Sequence, residues 1–176
     1  MKRFKDNSVA PIVAVDFDDT ISIGGHFPQP GTIRKFAKEV INFMVNSGIK
    51  VVIYTSRDTA INQDTMEVHD DITPAIKFLN DNGVKFSSIN KSVQFAPFSY
   101  NSRKIYAHMY VDDHGFGWIE SACSMIYVLH DVLTKVVGVD TDIANKICGE
   151  IVRGEDTSLD EQIISRYIDR EWNKGI

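Results

Sequence analysis

The sequence has few cysteines and no long apolar run, and both absences narrow the classes of protein to which it can belong. Cys123 and Cys148 are the two cysteines among 176 residues, and they have neither metal-ligand spacing nor the number expected of a disulfide scaffold. No stretch approaches the ~18 apolar residues that would span a bilayer. The N-terminal residues lack the apolar run of a signal peptide. We therefore expect reduced thiols, no membrane association and a cytoplasmic protein.

The sequence also lacks a strong charge of either sign. The net charge is −5, from 24 acidic and 19 basic residues, and the excess of acids lies after residue 117. A protein that binds nucleic acid would normally show a clustered basic face, so this composition disfavours a nucleic-acid partner. It is compatible with a small anionic substrate.

Apolar strands alternate with amphipathic helices in the first two thirds of the chain. The pattern predicts strands at 12–15, 51–54, 86–89 and 105–111, and helices at 32–47 and 74–82. Residues 57–71 are polar and predict a loop or a short helix. Strands that alternate with helices indicate an α/β fold: a three-layer, Rossmann-like sandwich with a central parallel sheet and helices on both faces.

From Trp118 onward the pattern is that of helices alone. We predict helices at 118–138 and 141–153 and a third helix from Ser158. The chain is therefore expected to consist of a catalytic core, residues 1–117, and a helical extension, residues 118–176. The extension could close the site, form the interface of a homo-oligomer, or cover the sheet.

A cluster of acids follows the first predicted strand. Asp16, Asp18 and Asp19 place three carboxylates within four positions, directly after an apolar run. Burying such a cluster without a counter-charge would be costly, whereas the carboxyl end of a parallel strand is where open α/β sheets bind ligands. Hard oxygen ligands of this kind suit Mg²⁺. The cluster therefore predicts a magnesium site.

Two other predicted strands end in polar residues that could serve the same site. Asp112 and Asp113 follow the strand at 105–111; Asp112 could complete the metal shell, and Asp113 could act through a water or orient a lysine. Thr55 and Arg57 follow the strand at 51–54. A hydroxyl can donate a hydrogen bond to a phosphoryl oxygen, and a guanidinium can bind a phosphoryl group through two hydrogen bonds. Thr55 and Arg57 are therefore candidate phosphate ligands.

Together these segments resemble the haloacid dehalogenase superfamily, and in particular its short members without a cap domain. The resemblance rests on an apolar strand followed by the pattern DxDxT, a strand followed by threonine, a lysine, and a strand followed by DD. It implies that Asp16 is the nucleophile, Asp18 the general acid and base, Thr55 a phosphate ligand and Asp112 a metal ligand. Asp19 stands where many members of the family have glycine.

The family pattern also requires a phosphate-binding lysine and a flap. Lys104, just before the last predicted strand, is the favoured lysine, and Lys91 is its competitor. The stretch from Gly25 to Pro28, with Gly31, resembles the mobile flap over the active site, which is too short here to be a cap. His26 in this stretch either contacts substrate or is merely solvated.

The resemblance implies a Mg²⁺-dependent phosphatase that works through an aspartyl-phosphate. The ion would be held by the carboxylates of Asp16 and Asp112 and by the backbone carbonyl of Asp18. A small phosphorylated metabolite or a nucleotide is the expected substrate. Two alternatives stay open: a phosphatase acting on nucleic-acid ends, and a non-enzymatic binding or assembly module that retains the fold.

Overall fold

A computed structural model describes residues 10–93 and 105–172. In chain order the strands are β1 (Ile12–Asp16), β2 (Ser22–Ile23), β3 (Thr32–Ile33), β4 (Lys50–Tyr54), β5 (Thr59–Ile61), β6 (Val68–Asp70), β7 (Ser88–Ile89) and β8 (Met109–Val111). The helices are α1 (Ala37–Asn46), α2 (Ile72–Asp81), α3 (Ser124–Asp131), α4 (Thr141–Arg153) and α5 (Ser158–Trp172). A π-helical segment, Val132–Val137, directly follows α3.

Four strands form the central sheet, in the order β7-β4-β1-β8, and all of their pairings are parallel. The apolar, β-branched run of β1 is buried on both faces, as central parallel strands are. From β1 the chain moves outward through β4 to β7 and then returns to the other side of β1 to form β8. The point between β1 and β8 is therefore the topological switch point, where sheets of this kind bind ligands at the carboxyl ends of the strands.

The two faces of this sheet carry different clusters of buried side chains. Val13 and Val15 of β1 face a large core to which all five helices contribute, whereas Ile12 faces a smaller cluster with Val52 and Ile105. The predicted fold class is thus confirmed: the molecule is an α/β protein with a central parallel sheet flanked by helices, of the Rossmann-like three-layer kind. No helix in the described ranges has the length and apolar character needed to cross a membrane.

The helical extension shares the larger core with the sheet. Helices α3 and α5 lie against α1, and Leu129 and Ile164 are buried in the same cluster as Val13 and Val15. A salt bridge between Arg34 and Glu120, 2.7 Å from Nη1 to Oε1, also joins the two parts of the chain.

Two predicted stretches were assigned to the wrong kind of element. The helix predicted from Thr32 begins at Ala37, because Phe36 has a positive φ of 64° that interrupts a helix; Thr32–Ile33 pairs instead with Ser22–Ile23. The polar stretch at 57–71 contains the antiparallel pair β5–β6. Its turn is closed by Asn62, whose side chain accepts hydrogen bonds from the backbone of Asp64 and Thr65.

Other boundaries also differ from the prediction. Strand β7 keeps two of the four residues expected at 86–89, and β8 begins at Met109 rather than 105. The helix expected from Trp118 begins at Ser124, whose hydroxyl donates to the Ile119 and Ser121 carbonyls in a local turn that competes with helix. Helix α4 has the predicted bounds, and α5 begins at the predicted Ser158.

Candidate active site

Five of the predicted site residues line one cavity at the carboxyl edge of the sheet. The cavity has a volume of about 370 Å³, and its walls include Asp16, Asp18, Thr55, Asp112 and Asp113. These residues follow β1, β4 and β8, which are neighbours in the sheet. The lining is completed by Asp19, Tyr54, Ser56 and His114. Residues almost 100 positions apart in the sequence therefore meet around one opening.

Asp16 carries the clearest electrostatic signature in the cavity. Its pKa is raised from 3.8 to about 7, above all because burial removes water from the carboxylate, and also because Asp112 and Asp18 repel its charge. Hydrogen bonds from the Phe17 backbone N–H and the Thr20 hydroxyl oppose the shift. In the absence of a cation, this carboxylate is therefore costly to ionise.

Asp18 is held by a buried arginine. Its Oδ2 accepts from Arg57 Nε at 2.8 Å and its Oδ1 from Arg57 Nη2 at 2.6 Å, a two-bond fork of the kind that fixes both distance and plane. The Asp18 side chain is 41% exposed, whereas that of Arg57 is 1% exposed. The carboxylate thus faces the cavity, and the guanidinium lies behind it.

This position changes the interpretation of Arg57, which the sequence indicated as a phosphate ligand. Its Nη1 donates to the backbone carbonyls of Pro28 and Asp71, and the rings of Phe17 and Phe27 cover the guanidinium at 5.1 and 5.0 Å. Arg57 is absent from the described cavity lining. With its donors directed at Asp18 and at these carbonyls, it does not present a free fork to a phosphoryl group.

Thr55 is positioned by a residue that the sequence analysis missed. The Thr55 N–H donates to Asn90 Oδ1 at 2.9 Å, and Asn90 Nδ2 donates to the Arg57 carbonyl at 2.9 Å. Thr55 Oγ1 accepts from the Arg57 N–H at 3.2 Å, which leaves the hydroxyl hydrogen available for a ligand. The available signal was the position of Asn90, a polar residue directly after the predicted third strand.

Thr20 and Arg34 hold the loop that follows β1. Thr20 is fully buried, and its Oγ1 accepts from the Asp113 N–H at 3.1 Å while the same hydroxyl bonds Asp16. Arg34 donates to the carbonyls of Thr20 and Asp19. Thr20 was part of the DxDxT pattern but had no assigned role, and nothing in the sequence distinguishes Arg34 from a solvated arginine.

The donor set predicted for Mg²⁺ consists of two side-chain carboxylates, Asp16 and Asp112, and the backbone carbonyl of Asp18. Within residues 10–93 and 105–172, no three acidic, histidine or cysteine side chains form a ready-made metal cluster. Mg²⁺ does not need one, because it commonly binds through one or two carboxylates and fills its shell with water and phosphate oxygens. The raised pKa of Asp16 is the electrostatic penalty that such an ion would relieve. The residues present therefore fit the ion.

The lysine and histidine predictions have different outcomes. Lys104 lies outside the described residues. Lys91 is exposed, and neither it nor His26 is part of the described cavity lining. His114, which had no predicted role, does line the cavity, and its backbone N–H donates to Asp112 Oδ1 at 2.9 Å.

Comparisons with known proteins bear on the fold. No family model and no curated protein matches the chain. A solved structure of a conserved protein from Bacteroides thetaiotaomicron is similar to it, with a TM-score of 0.53 and 23% sequence identity over 72% of this chain and 91% of that chain. The likeness shows a shared fold. It carries no information on activity, because one fold can host many unrelated functions.

Proposed function

We propose that this protein is a Mg²⁺-dependent phosphatase of the haloacid dehalogenase type, which hydrolyses a phosphate monoester through an aspartyl-phosphate at Asp16. The observation that carries the proposal is the meeting of two acid pairs, Asp16 with Asp18 and Asp112 with Asp113, around one cavity with Thr55. Gathering carboxylates in a partly desolvated place costs stability unless a cation compensates them.

The metal in the proposal is Mg²⁺, held by Asp16, Asp112 and the carbonyl of Asp18. When bound, it would neutralise the charge on the phosphoryl oxygens and on Asp16. Two of these ligands are also bonded by the protein: the His114 backbone N–H donates to Asp112, and the Thr20 hydroxyl bonds Asp16. Bonds of this kind to ligand carboxylates orient them.

The proposed reaction uses two carboxylates in different roles. One oxygen of Asp16 attacks phosphorus, and the bond to the ester oxygen breaks while Asp18 delivers a proton to that oxygen. Asp18, now ionised, then takes a proton from a water that attacks the phosphorus, and Asp16 is released together with inorganic phosphate. Thr55 donates its hydroxyl hydrogen to a phosphoryl oxygen throughout, since its Oγ1 accepts from the Arg57 N–H and keeps its own hydrogen for a ligand.

A small phosphorylated metabolite or a nucleotide is the proposed substrate. A cavity of about 370 Å³ is within the range of small-molecule sites, roughly 300–1,000 Å³. Its lining contains five aspartates and no arginine or lysine among the described residues, so it offers no basic strip along which the backbone of a nucleic acid could lie. The cytoplasm is the proposed compartment, and both cysteines are free thiols, as a reducing compartment requires.

The deciding experiment compares the wild-type protein with Asp16→Asn on a generic aryl phosphate, with Mg²⁺ and with EDTA. We expect turnover that EDTA abolishes and that the substitution lowers by about 10³-fold or more, because the amide cannot replace the nucleophile. Asp142→Asn is the matched control: Asp142 is an exposed acid on α4, outside the described cavity lining, and the variant should retain most of the activity. Asp16→Asn turning over as fast as the wild type would refute the proposal.

A further inference from the structure

Arg57 joins three segments that are separate in the sequence. Its guanidinium bonds Asp18 at the end of β1, Pro28 in the flap (residues 21–31) and Asp71 at the start of α2. The side chain is 1% exposed, and Phe27 of the flap covers it from outside. Arg57 therefore lies between Asp18, the proposed acid and base of the reaction, and the flap.

The fork between Arg57 and Asp18 restricts the orientation of the carboxylate. A buried cation that lost its partner would be strongly destabilising, so the pair is held together. Because the guanidinium is planar and bonds both carboxylate oxygens, it sets the plane of the carboxylate as well as its distance. A lysine at this position would be a single point charge and could not do both.

The tip of the flap depends on the same guanidinium. Within the tip, residues 24–30, the Gln29 N–H donates to the His26 carbonyl at 2.8 Å. This bond connects the tip only to itself. Arg57, in contrast, connects the tip to the sheet through the Pro28 carbonyl and through the face of the Phe27 ring. A movement of the tip therefore removes part of what holds Arg57, and with it part of what holds Asp18.

We propose that Arg57 is a positioning residue that couples the flap to the Asp18 carboxylate, so that the proton-transferring group is correctly oriented when the tip is seated on the guanidinium. The catalytic consequence rests on the proposed function, because it takes Asp18 to be the acid and base. The coupling itself is a property of the free protein and can be measured without turnover.

Hydrogen exchange of the flap amides tests the coupling directly. We expect Arg57→Lys to raise exchange in residues 24–30 by about tenfold or more, since it removes hydrogen bonds to a charged group. Asp18→Asn, which keeps the shape of the side chain, should raise exchange in the same amides, and the double variant should add little beyond the larger single effect. Asp160→Asn is the matched control, because Asp160 is also a buried carboxylate paired with a cation, Lys146, but lies on α5, and the variant should leave these amides unchanged. Unaltered flap exchange in Asp18→Asn and Arg57→Lys would overturn the proposal.

Hydrolysis of two esters tests the consequence for catalysis. An alkyl phosphate needs a proton on its leaving oxygen far more than an aryl phosphate does, so a misplaced Asp18 should matter more for the alkyl ester. We expect Arg57→Lys to lower kcat for the alkyl ester at least about tenfold more than for the aryl ester, whereas Asp160→Asn should affect both equally. If Arg57→Lys lowered kcat by the same factor for the alkyl and the aryl ester, the positioning role would be overturned. If the wild type hydrolysed neither ester, the proposed function would fail, and the exchange data would still decide the coupling.

Discussion

At the scale of single residues, Asp16 links the cavity to the stability of the whole fold. Its pKa is about 7 in the folded protein and 3.8 in an unfolded chain, so between these values the folded state holds a proton that the unfolded state has released. The free energy of unfolding must therefore fall as the pH rises from about 4 to about 7 when no cation is present. Each unit of pKa difference corresponds to about 1.4 kcal/mol of unfolding free energy. Because Asp16 is partly exposed to solvent, the actual contribution is smaller, and we expect the free energy of unfolding to fall by about 1–3 kcal/mol.

Urea unfolding in EDTA at about pH 4 and about pH 8 measures this loss. Asp16→Asn cannot ionise and should show a smaller decrease over the same range, whereas Asp19→Asn should behave like the wild type. Added Mg²⁺ should restore stability at the higher pH in the wild type and not in Asp16→Asn. An identical pH dependence in the wild type and Asp16→Asn would show that Asp16 does not carry this penalty.

The sequence could predict those site residues that directly follow an apolar strand. Asp16, Thr55 and Asp112 each come at a strand end, and parallel strands bring such ends to one edge of the sheet. Arg57 lies beyond Thr55, where the side chain turns under the loop. A sequence pattern cannot distinguish a buried guanidinium from one that faces a ligand, and Arg57 was therefore assigned a different role. Asp19 has a positive φ of 52°, a left-handed conformation that favours glycine. This explains the frequent glycine at this position in the family that the sequence resembles.

At the scale of elements, the flap is a hairpin whose strands come unusually close. A Cβ on Gly31 would collide with the Ile23 carbonyl oxygen and lie 2.5 Å from the Gly25 nitrogen. All of these atoms belong to backbone, so no flexible side chain can yield. Since the β2–β3 pairing and the tip both depend on this approach, Gly31 is a structural requirement of the flap.

We therefore expect Gly31→Ala to open the flap and to lower phosphatase activity, while most of the global stability is retained. Hydrogen exchange of residues 21–31 and kcat/KM for an alkyl phosphate are the measurements. Gly24→Ala is the control: Gly24 has a φ of 70°, but a Cβ added there would meet no other atom within 4 Å, so the substitution should cost only about 1 kcal/mol of backbone strain. A Gly31→Ala variant with wild-type flap exchange would contradict the role given to this close approach.

The two small hairpins are also the elements that the sequence predicted least well. Strands β2, β3, β5 and β6 have two or three residues each, too few to show an alternating pattern. Thr32–Ile33 in particular continues the apolar spacing of α1, and the interruption comes from the backbone conformation of Phe36, which no periodicity reveals. Long elements such as α4 and β1 were predicted well, because their apolar spacing extends over several turns or over a complete buried strand.

At the scale of the whole molecule, the helical extension is part of the core. The sequence predicted its apolar stripes but could not identify the surface that they cover, because a stripe that faces a sheet and one that faces another subunit have the same spacing. The structure shows side chains of α3, α4 and α5 buried in one cluster with β1 and β4. The described cavity lining ends at His114, so the extension supports the sheet from behind and does not contribute to these walls.

This arrangement predicts a single cooperative unfolding transition that a substitution in the extension shifts as a whole. Leu129 is fully buried, and Leu129→Ala should lower the free energy of unfolding by about 2–5 kcal/mol. Leu159 on α5 is 65% exposed, and Leu159→Ala should change it by less than about 0.5 kcal/mol. Urea unfolding followed both by circular dichroism and by activity is the measurement. If residues 1–117 and 118–176 were independent domains, Leu129→Ala would move the transition seen by circular dichroism and leave the loss of activity at the same urea concentration. Coincident shifts of both would establish that the extension and the central sheet fold as one unit.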